Sequence, residues 1–212
     1  MNMQRADEIV AFWMGPAESG PEAARGRKDL WYRCGPEFDQ EVIGNFKDDV
    51  EQACEGKLSH WAKTGNGALA LIILLDQFTR NVYRNSPMAY RGDDIAWRAA
   101  DEAVKAGLDK ALSVPGRIFL YHPFHHSEAV EEQDRVLDLL RELREETTPE
   151  WKSYVDDSIR GFGRHRDIVA RFGRFPHRNA VLGRESTAEE TAFLSESPDS
   201  FGQGPKPANK GS

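Results

Sequence analysis

Between Arg160 and Arg184 the chain reads RGFGRHRDIVARFGRFPHRNAVLGR, seven arginines and two histidines against one acid, Asp167. The protein as a whole carries a net charge of −7. Cations gathered against the sign of the whole chain point to a local role, either holding an anion or meeting buried acids. Phe162, Ile168, Val169, Phe172 and Phe175 are interleaved with the charges. A plain solvated face has no need of them. Arginine suits anion capture because its planar fork gives two parallel hydrogen bonds to a carboxylate or phosphate. Histidine adds proton transfer, since its charge changes near neutral pH.

A second block, Asp76-Gln77-Phe78-Thr79-Arg80-Asn81, echoes Arg174-Phe175-Pro176-His177-Arg178-Asn179. Asp76 and Arg80 stand four residues apart and can pair on one helix face. The two blocks define an expected ligand site. Arg80, Arg174 and Arg178 hold an anion, Asn81 and Asn179 donate hydrogen bonds, and Asp76 fixes Arg80. Gln77 and Gln133 complete the polar set. His126 and His165 are the candidates for catalytic proton transfer.

Other chemistries find less support. His122, His125, His126 and Glu128 form a dense cluster, but Pro123 breaks the helical register that a shared metal would need, and no His-Glu-x-x-His pattern exists. No metal and no cofactor is expected. There is no Gly-x-Ser-x-Gly elbow, and Gly161-Phe162-Gly163 lacks the strand that a phosphate-binding loop follows. Cys34 and Cys54 have no base nearby in sequence.

The elements that must position these residues are helical throughout. No period-two run of β-branched residues and no Asn-Gly or Asp-Gly turn occurs. Helices are expected over Ala6–Met14, from Pro36 to Gly56, over Ala68–Tyr83 (apolar nearly all round), Met88–Ala106 and Pro115–Phe124. Two more run from Ser127, as N-cap, to about Glu146, and from Pro149 to about Arg171. On the helix after Ser127, Gln133 falls on the apolar stripe, with His126 on its N-terminal extension. On the helix after Pro149, His165 or Arg166 must fill the gap between Phe162 and Val169. Three helices thus turn polar groups toward the core, where they need one another or a ligand. An antiparallel all-α bundle, or short solenoid of helix pairs, follows.

The 212 residues, 39% hydrophobic and 30% charged, suit one domain over residues 1–201, with a disordered tail over 202–212 rich in Gly, Pro and Asn. The longest apolar run, Ala68–Leu75, is too short to span a bilayer, and the first residues lack signal-peptide character. Two cysteines make no disulfide framework. The expected location is the cytoplasm. A pI near 5.4 argues against general nucleic-acid binding.

Several of these segments are recognisable. Ala11-Phe12-Trp13, the run Leu69 to Asn81, the stretch Pro123 to Gln133 with His126-Ser127-Glu128, and Arg164 to Glu185 resemble the bacterial family called domain of unknown function 924. The resemblance runs from about Asp7 to Phe201. It implies a fold related to tetratricopeptide-repeat helical pairs, without that repeat's signature, and it brings no activity. His126, Glu128, Gln133, His165 and Arg178 fit the family pattern. Thr79 stands where Pro is usual, and His122 and His125 where apolar residues are more common.

Two functions follow as expectations. One is an internal polar pocket for a small anionic molecule. The other is an interaction module that presents a groove to a peptide, in which the polar network is purely structural.

Overall fold

The computed structural model of the chain describes residues 3–196, apart from Cys34 and the side chain of Arg33. The C-terminal tail expected over 202–212 lies outside the described residues. The order is α1 (Gln4–Met14), α2 (Pro21–Gly26), α3 (Lys28–Arg33), α4 (Pro36–Cys54), α5 (Gly65–Ile72), a π-helical segment (Ile73–Phe78), α6 (Thr79–Val82) and α7 (Asp93–Lys105). There follow α8 (Val114–Leu120), α9 (His122–His125), α10 (Val130–Glu146), α11 (Pro149–Phe172) and α12 (Ala188–Glu196). The described residues contain no strand, so the fold is all-α.

The apolar run Ala68–Leu75 is the centre of the core, with every side chain buried. Helix α1 lays Trp13 edge-on to Phe78 and Phe119, each with ring centroids 5.5 Å away. Helix α4 adds Val42, Phe46 and Val50. Helices α10 and α11 form a hairpin across a short turn, burying Val136, Leu140 and Leu143 against Tyr154, Val155 and Phe162. Beyond α11 the chain is pinned by a second cluster in which Val130, Phe172 and Phe193 pack on Ile168, Val169 and Phe175.

Some expected elements differ in detail. The helix expected over Ala68–Tyr83 changes its winding in the middle, at the π-helical Ile73–Phe78. A π turn takes one more residue than an α turn, which shifts the facing of later side chains by about 100°. The helix expected over Met88–Ala106 is broken. A 3-10 turn, Pro87–Tyr90, precedes α7. The break allows a close approach: a Cβ on Gly92 would stand 2.4 Å from the carbonyl oxygen of Leu75. Backbone meets backbone there, and Asp93 follows directly. Ser127 is not the N-cap of α10, which begins at Val130 with Ala129 at the cap position. The Ser127 hydroxyl instead accepts from the Ala129 N–H at 3.2 Å.

Candidate functional site

The π segment places Asp76 at the centre of a polar cluster. Its carboxylate is fully buried. Oδ2 accepts from Nε2 of Gln77 at 2.5 Å. Oδ1 lies 2.7 Å from Nδ1 of His126 and 3.4 Å from Nη1 of Arg80. A carboxylate only accepts, so His126 carries its proton on Nδ1 and turns the lone pair of Nε2 away from Asp76. Burial alone would push the carboxyl up, but Arg80 and His126 outweigh it and hold Asp76 well below the usual range.

Arg80 is fully engaged. It donates to the Asp76 backbone carbonyl and forks onto Asp93 through Nη1 at 3.1 Å and Nη2 at 3.2 Å. Its guanidinium also lies over the ring of Tyr90, 5.5 Å from the centroid.

Arg178, from the second half of the echo, comes to the same ring, with its guanidinium 5.0 Å from the Tyr90 centroid and 4.5 Å from that of Phe175. It is only 7% exposed. Its buried Nε has no hydrogen-bond partner, and no carboxylate lies within 4.0 Å of the guanidinium among the described residues. Burial, and after it the neighbouring Arg80, pull its pKa down. The Tyr90 hydroxyl is likewise buried without a hydrogen bond.

Imidazoles pack around these arginines. His125 is stacked between Phe162, at 3.7 Å, and His165, at 4.0 Å. His122 donates from Nδ1 to the Ile118 carbonyl at 2.9 Å and stacks on Phe119. His177 lies 5.4 Å from the Phe175 ring. Burial pushes every one of these histidines toward the neutral form. His126 goes down to about 3 despite Asp76, with Arg80 adding to the effect. His177 also goes to about 3, by burial and then Arg178. His125 and His165 sit well below the usual value for the same first reason, and His122 is lowered.

The structure brings together Asp76, Gln77, Arg80, His126, His165 and Arg178 of the expected set. The remaining four stand elsewhere. Arg174 forks onto the buried Glu190 at 2.6 and 2.8 Å. Asn179 donates to Ser186 at 3.1 Å and to Glu190 at 3.3 Å. Asn81 donates to Asp39 at 2.8 Å, beside Arg84 on the same carboxylate. Gln133 spans the carbonyls of His125, at 2.6 Å, and Ser127, at 2.7 Å, and so fixes the turn that carries His126. Of the two residues competing for the gap in α11, His165 turns inward, and Arg166 reaches out to Asp134 at 2.8 Å.

Sequence reasoning missed Tyr90, Asp93 and His177. His177 lay within the arginine-rich stretch and could have been included. Tyr90 and Asp93 carried no signal, because an unbroken helix was expected around them. The Glu128 carboxylate accepts from the Phe175 N–H at 2.9 Å and pairs with Arg184 at 2.7 and 3.0 Å. That pairing closes the Arg178 segment over the cluster. Among the described residues, no group of three or more His, Cys, Asp or Glu is arranged to hold a metal ion. An open depression lined by Arg141, Glu142, Glu145 and Glu146 lies on α10, apart from the histidines. No described helix is long and apolar enough to cross a membrane.

An all-α chain with this buried Arg–His–Asp cluster matches a known family model. The chain belongs to the family described as bacterial protein of unknown function (DUF924), whose model matches residues 9–198. It is also similar to a solved structure, the protein of unknown function ATU0120 from Agrobacterium tumefaciens. The two share 36% identity and a TM-score of 0.74, over 93% of this chain and 100% of that one. No match was found among curated proteins.

Proposed function

We propose that this chain is a cytoplasmic protein that binds a small anionic molecule at Arg178, with the Tyr90 hydroxyl and the neighbouring imidazoles as further hydrogen-bonding groups. The observation that carries this reading is Arg178 itself. A buried guanidinium without an acid lowers stability by several kcal/mol unless something else satisfies it. The Tyr90 and Phe175 rings offset part of that cost, at about 1–2 kcal/mol each when desolvated. Nε still has no acceptor. An oxyanion against Arg178 supplies one, and the Tyr90 hydroxyl can donate to the same ligand. Arg80, saturated by Asp76 and Asp93, shapes the site rather than binding the ligand. The Asp76–His126 pair is the candidate for proton transfer should the ligand react, since Asp76 fixes the tautomer that leaves Nε2 as a base.

The alternative, an interaction module of tetratricopeptide-repeat type, draws its support from the α10–α11 hairpin alone. It leaves Arg178 unexplained.

The test is a thermal-shift screen against phosphorylated and carboxylated metabolites, run on the wild type and on Arg178→Met. A ligand at one hundred times its Kd adds about 2.7 kcal/mol of stability. Arg178→Met is expected to fold with stability equal to or above the wild type, because it removes a buried charge, and to lose the ligand-induced shift. A variant destabilised by about 3 kcal/mol or more, or one that keeps the full shift, contradicts the reading.

A further inference from the structure

The contacts around Arg178 close into a ring. From Asp76 one route runs through Arg80, 3.4 Å away, to the Tyr90 ring at 5.5 Å and on to Arg178 at 5.0 Å. The other runs through His126, 2.7 Å from Asp76, to the ring of His125 at 5.2 Å and from there to His165 at 4.0 Å. It passes to Phe175, with centroids 5.4 Å apart, and rejoins Arg178 at 4.5 Å. As many links separate His126 from Arg178 by one route as by the other, so the two stand on opposite sides of the ring.

Their hydrogen-bonding characters are opposite as well. Arg178 can only donate, and its buried Nε has no acceptor. The Tyr90 hydroxyl beside it can donate too. Across the ring, the tautomer of His126 is fixed by geometry. Oδ1 of Asp76 accepts the Nδ1 proton, so Nε2 carries a lone pair and no hydrogen. No described residue donates to that lone pair, and the His126 side chain is 16% exposed, within reach of an entering molecule. Burial keeps the imidazole neutral, so the lone pair is available at neutral pH. His122 also holds its proton on Nδ1, but it stacks on Phe119 and is not a link of the ring. The Nδ1 of His125 is buried without a partner, so nothing fixes which of its nitrogens accepts. A simple anion on Arg178 leaves Nε2 of His126 bare. A hydroxyl satisfies it.

We propose that the ligand of this site is a hydroxylated oxyanion, a small phosphorylated or carboxylated alcohol, whose anionic end is held by Arg178 and Tyr90 and whose hydroxyl donates to Nε2 of His126. Asp76 is a positioning residue, because it sets which nitrogen of His126 accepts. This rests on the anion-binding reading above and adds to it the second functional group of the ligand and the residue that recognises it.

Matched probes that differ only by the hydroxyl test it: ethyl and 2-hydroxyethyl phosphate, propyl and 3-hydroxypropyl phosphate, butyrate and 3-hydroxybutyrate. Calorimetric titration near neutral pH gives the Kd of each. In at least one pair the hydroxylated member should bind the wild type about tenfold tighter or more, since its companion leaves a desolvated lone pair unmatched. His126→Asn keeps a side-chain N–H for Asp76 and places nothing where Nε2 stood. It should lose that preference and still bind the hydroxyl-free probe, whereas Arg178→Met should bind neither. The comparison within each pair is made on the wild type, so a variant that fails to fold leaves it intact. Pairs that bind the wild type equally, and are lost in Arg178→Met, overturn this inference and leave the anion site standing. A preference that survives in His126→Asn overturns the assignment to His126. If none of the probes binds the wild type, the anion reading falls as well.

Discussion

Acid should unfold this protein early, and the histidines set by how much. In the folded chain His126 and His177 titrate at about 3, and His125 and His165 well below their ordinary value. In the unfolded chain each returns to about 6.5. Below that pH the unfolded state binds more protons than the folded one, so stability falls as pH falls. The stabilisation is complete above about pH 6.5 and is lost progressively toward the folded values. At pH 5.5 an unfolded histidine is about ten-elevenths protonated, which favours unfolding by about 1.4 kcal/mol for each group still neutral in the fold. The four groups together remove about 5–6 kcal/mol between pH 7.5 and 5.5. That is comparable to the whole stability of many domains, about 5–15 kcal/mol. His122, also lowered, acts in the same direction. Asp76, held low by Arg80, surrenders its contribution only at more acid pH. Urea titrations followed by tryptophan fluorescence, at pH 7.5, 6.5 and 5.5 in buffers free of multivalent anions, measure the loss directly. A loss below about 1.5 kcal/mol over that range means that no more than one of the four histidines is buried neutral, and the packing described around Arg178 is then wrong.

Asp76→Asn should cost about 3–5 kcal/mol in a urea titration, because a buried ion pair loses one partner; a cost under 1 kcal/mol would show that Asp93 alone suffices for Arg80. Gly92→Ala should be destabilised by about 2 kcal/mol or more, since its Cβ would stand 2.4 Å from the Leu75 carbonyl oxygen; a thermal midpoint equal to wild type speaks against that close approach. Tyr90→Phe should keep or slightly raise stability by removing a buried hydroxyl without a partner, and should weaken binding of the anion at Arg178; calorimetry checks the second half. Arg174→Gln should lower stability modestly by removing the fork onto Glu190, which keeps the Asn179 amide and the Thr187 N–H, yet leave anion affinity unchanged; a lost affinity would return Arg174 to the site.

The helices were legible because their apolar faces and prolines were local. The long α11 opens at Pro149 and ends at Phe172, one residue from the expected Arg171. Part of the site was legible for a similar reason. Asp76, Gln77 and His165 stood where apolar residues were expected, Arg178 was marked by its echo of Arg80 and Asn81, and each is turned inward. What was hidden depended on contacts across the fold. Tyr90 and Asp93 enter the cluster only because Gly92 lets backbone meet backbone at Leu75, a contact with no periodicity to betray it. Asn81 and Asn179 were paired by a sequence echo. The π segment changes the facing of Asn81, and Asn179 is held by Ser186 and Glu190 on the far side of its turn. Arg174 and Arg178 are four residues apart but not on one helix, because Gly173, in the left-handed region at φ 67°, ends α11. Nothing in the spacing told which of the two would find an acid.

Several features that lower stability share one location. The π-helical turn, the imidazoles held neutral by burial, the orphaned Tyr90 hydroxyl and the unpaired Arg178 guanidinium all converge there. Away from it, buried charges are paired: Arg117 with Asp109 and Glu146, Arg84 with Asp39, Arg174 with Glu190. Among the described residues Arg178 is a buried cation without an acid, in a chain that is not short of acids, since it carries 35 against 28 basic residues. Glu128 shows the point most directly. It acts on Arg178 electrostatically, yet its carboxylate is committed to Arg184 and the Phe175 N–H. The acid that could have neutralised Arg178 is used instead to close the segment around it. Local departures from well-satisfied packing concentrate where a protein works rather than where it is merely held together. On that ground Arg178, and not the many arginines around it, is the residue from which the function of this chain is best pursued.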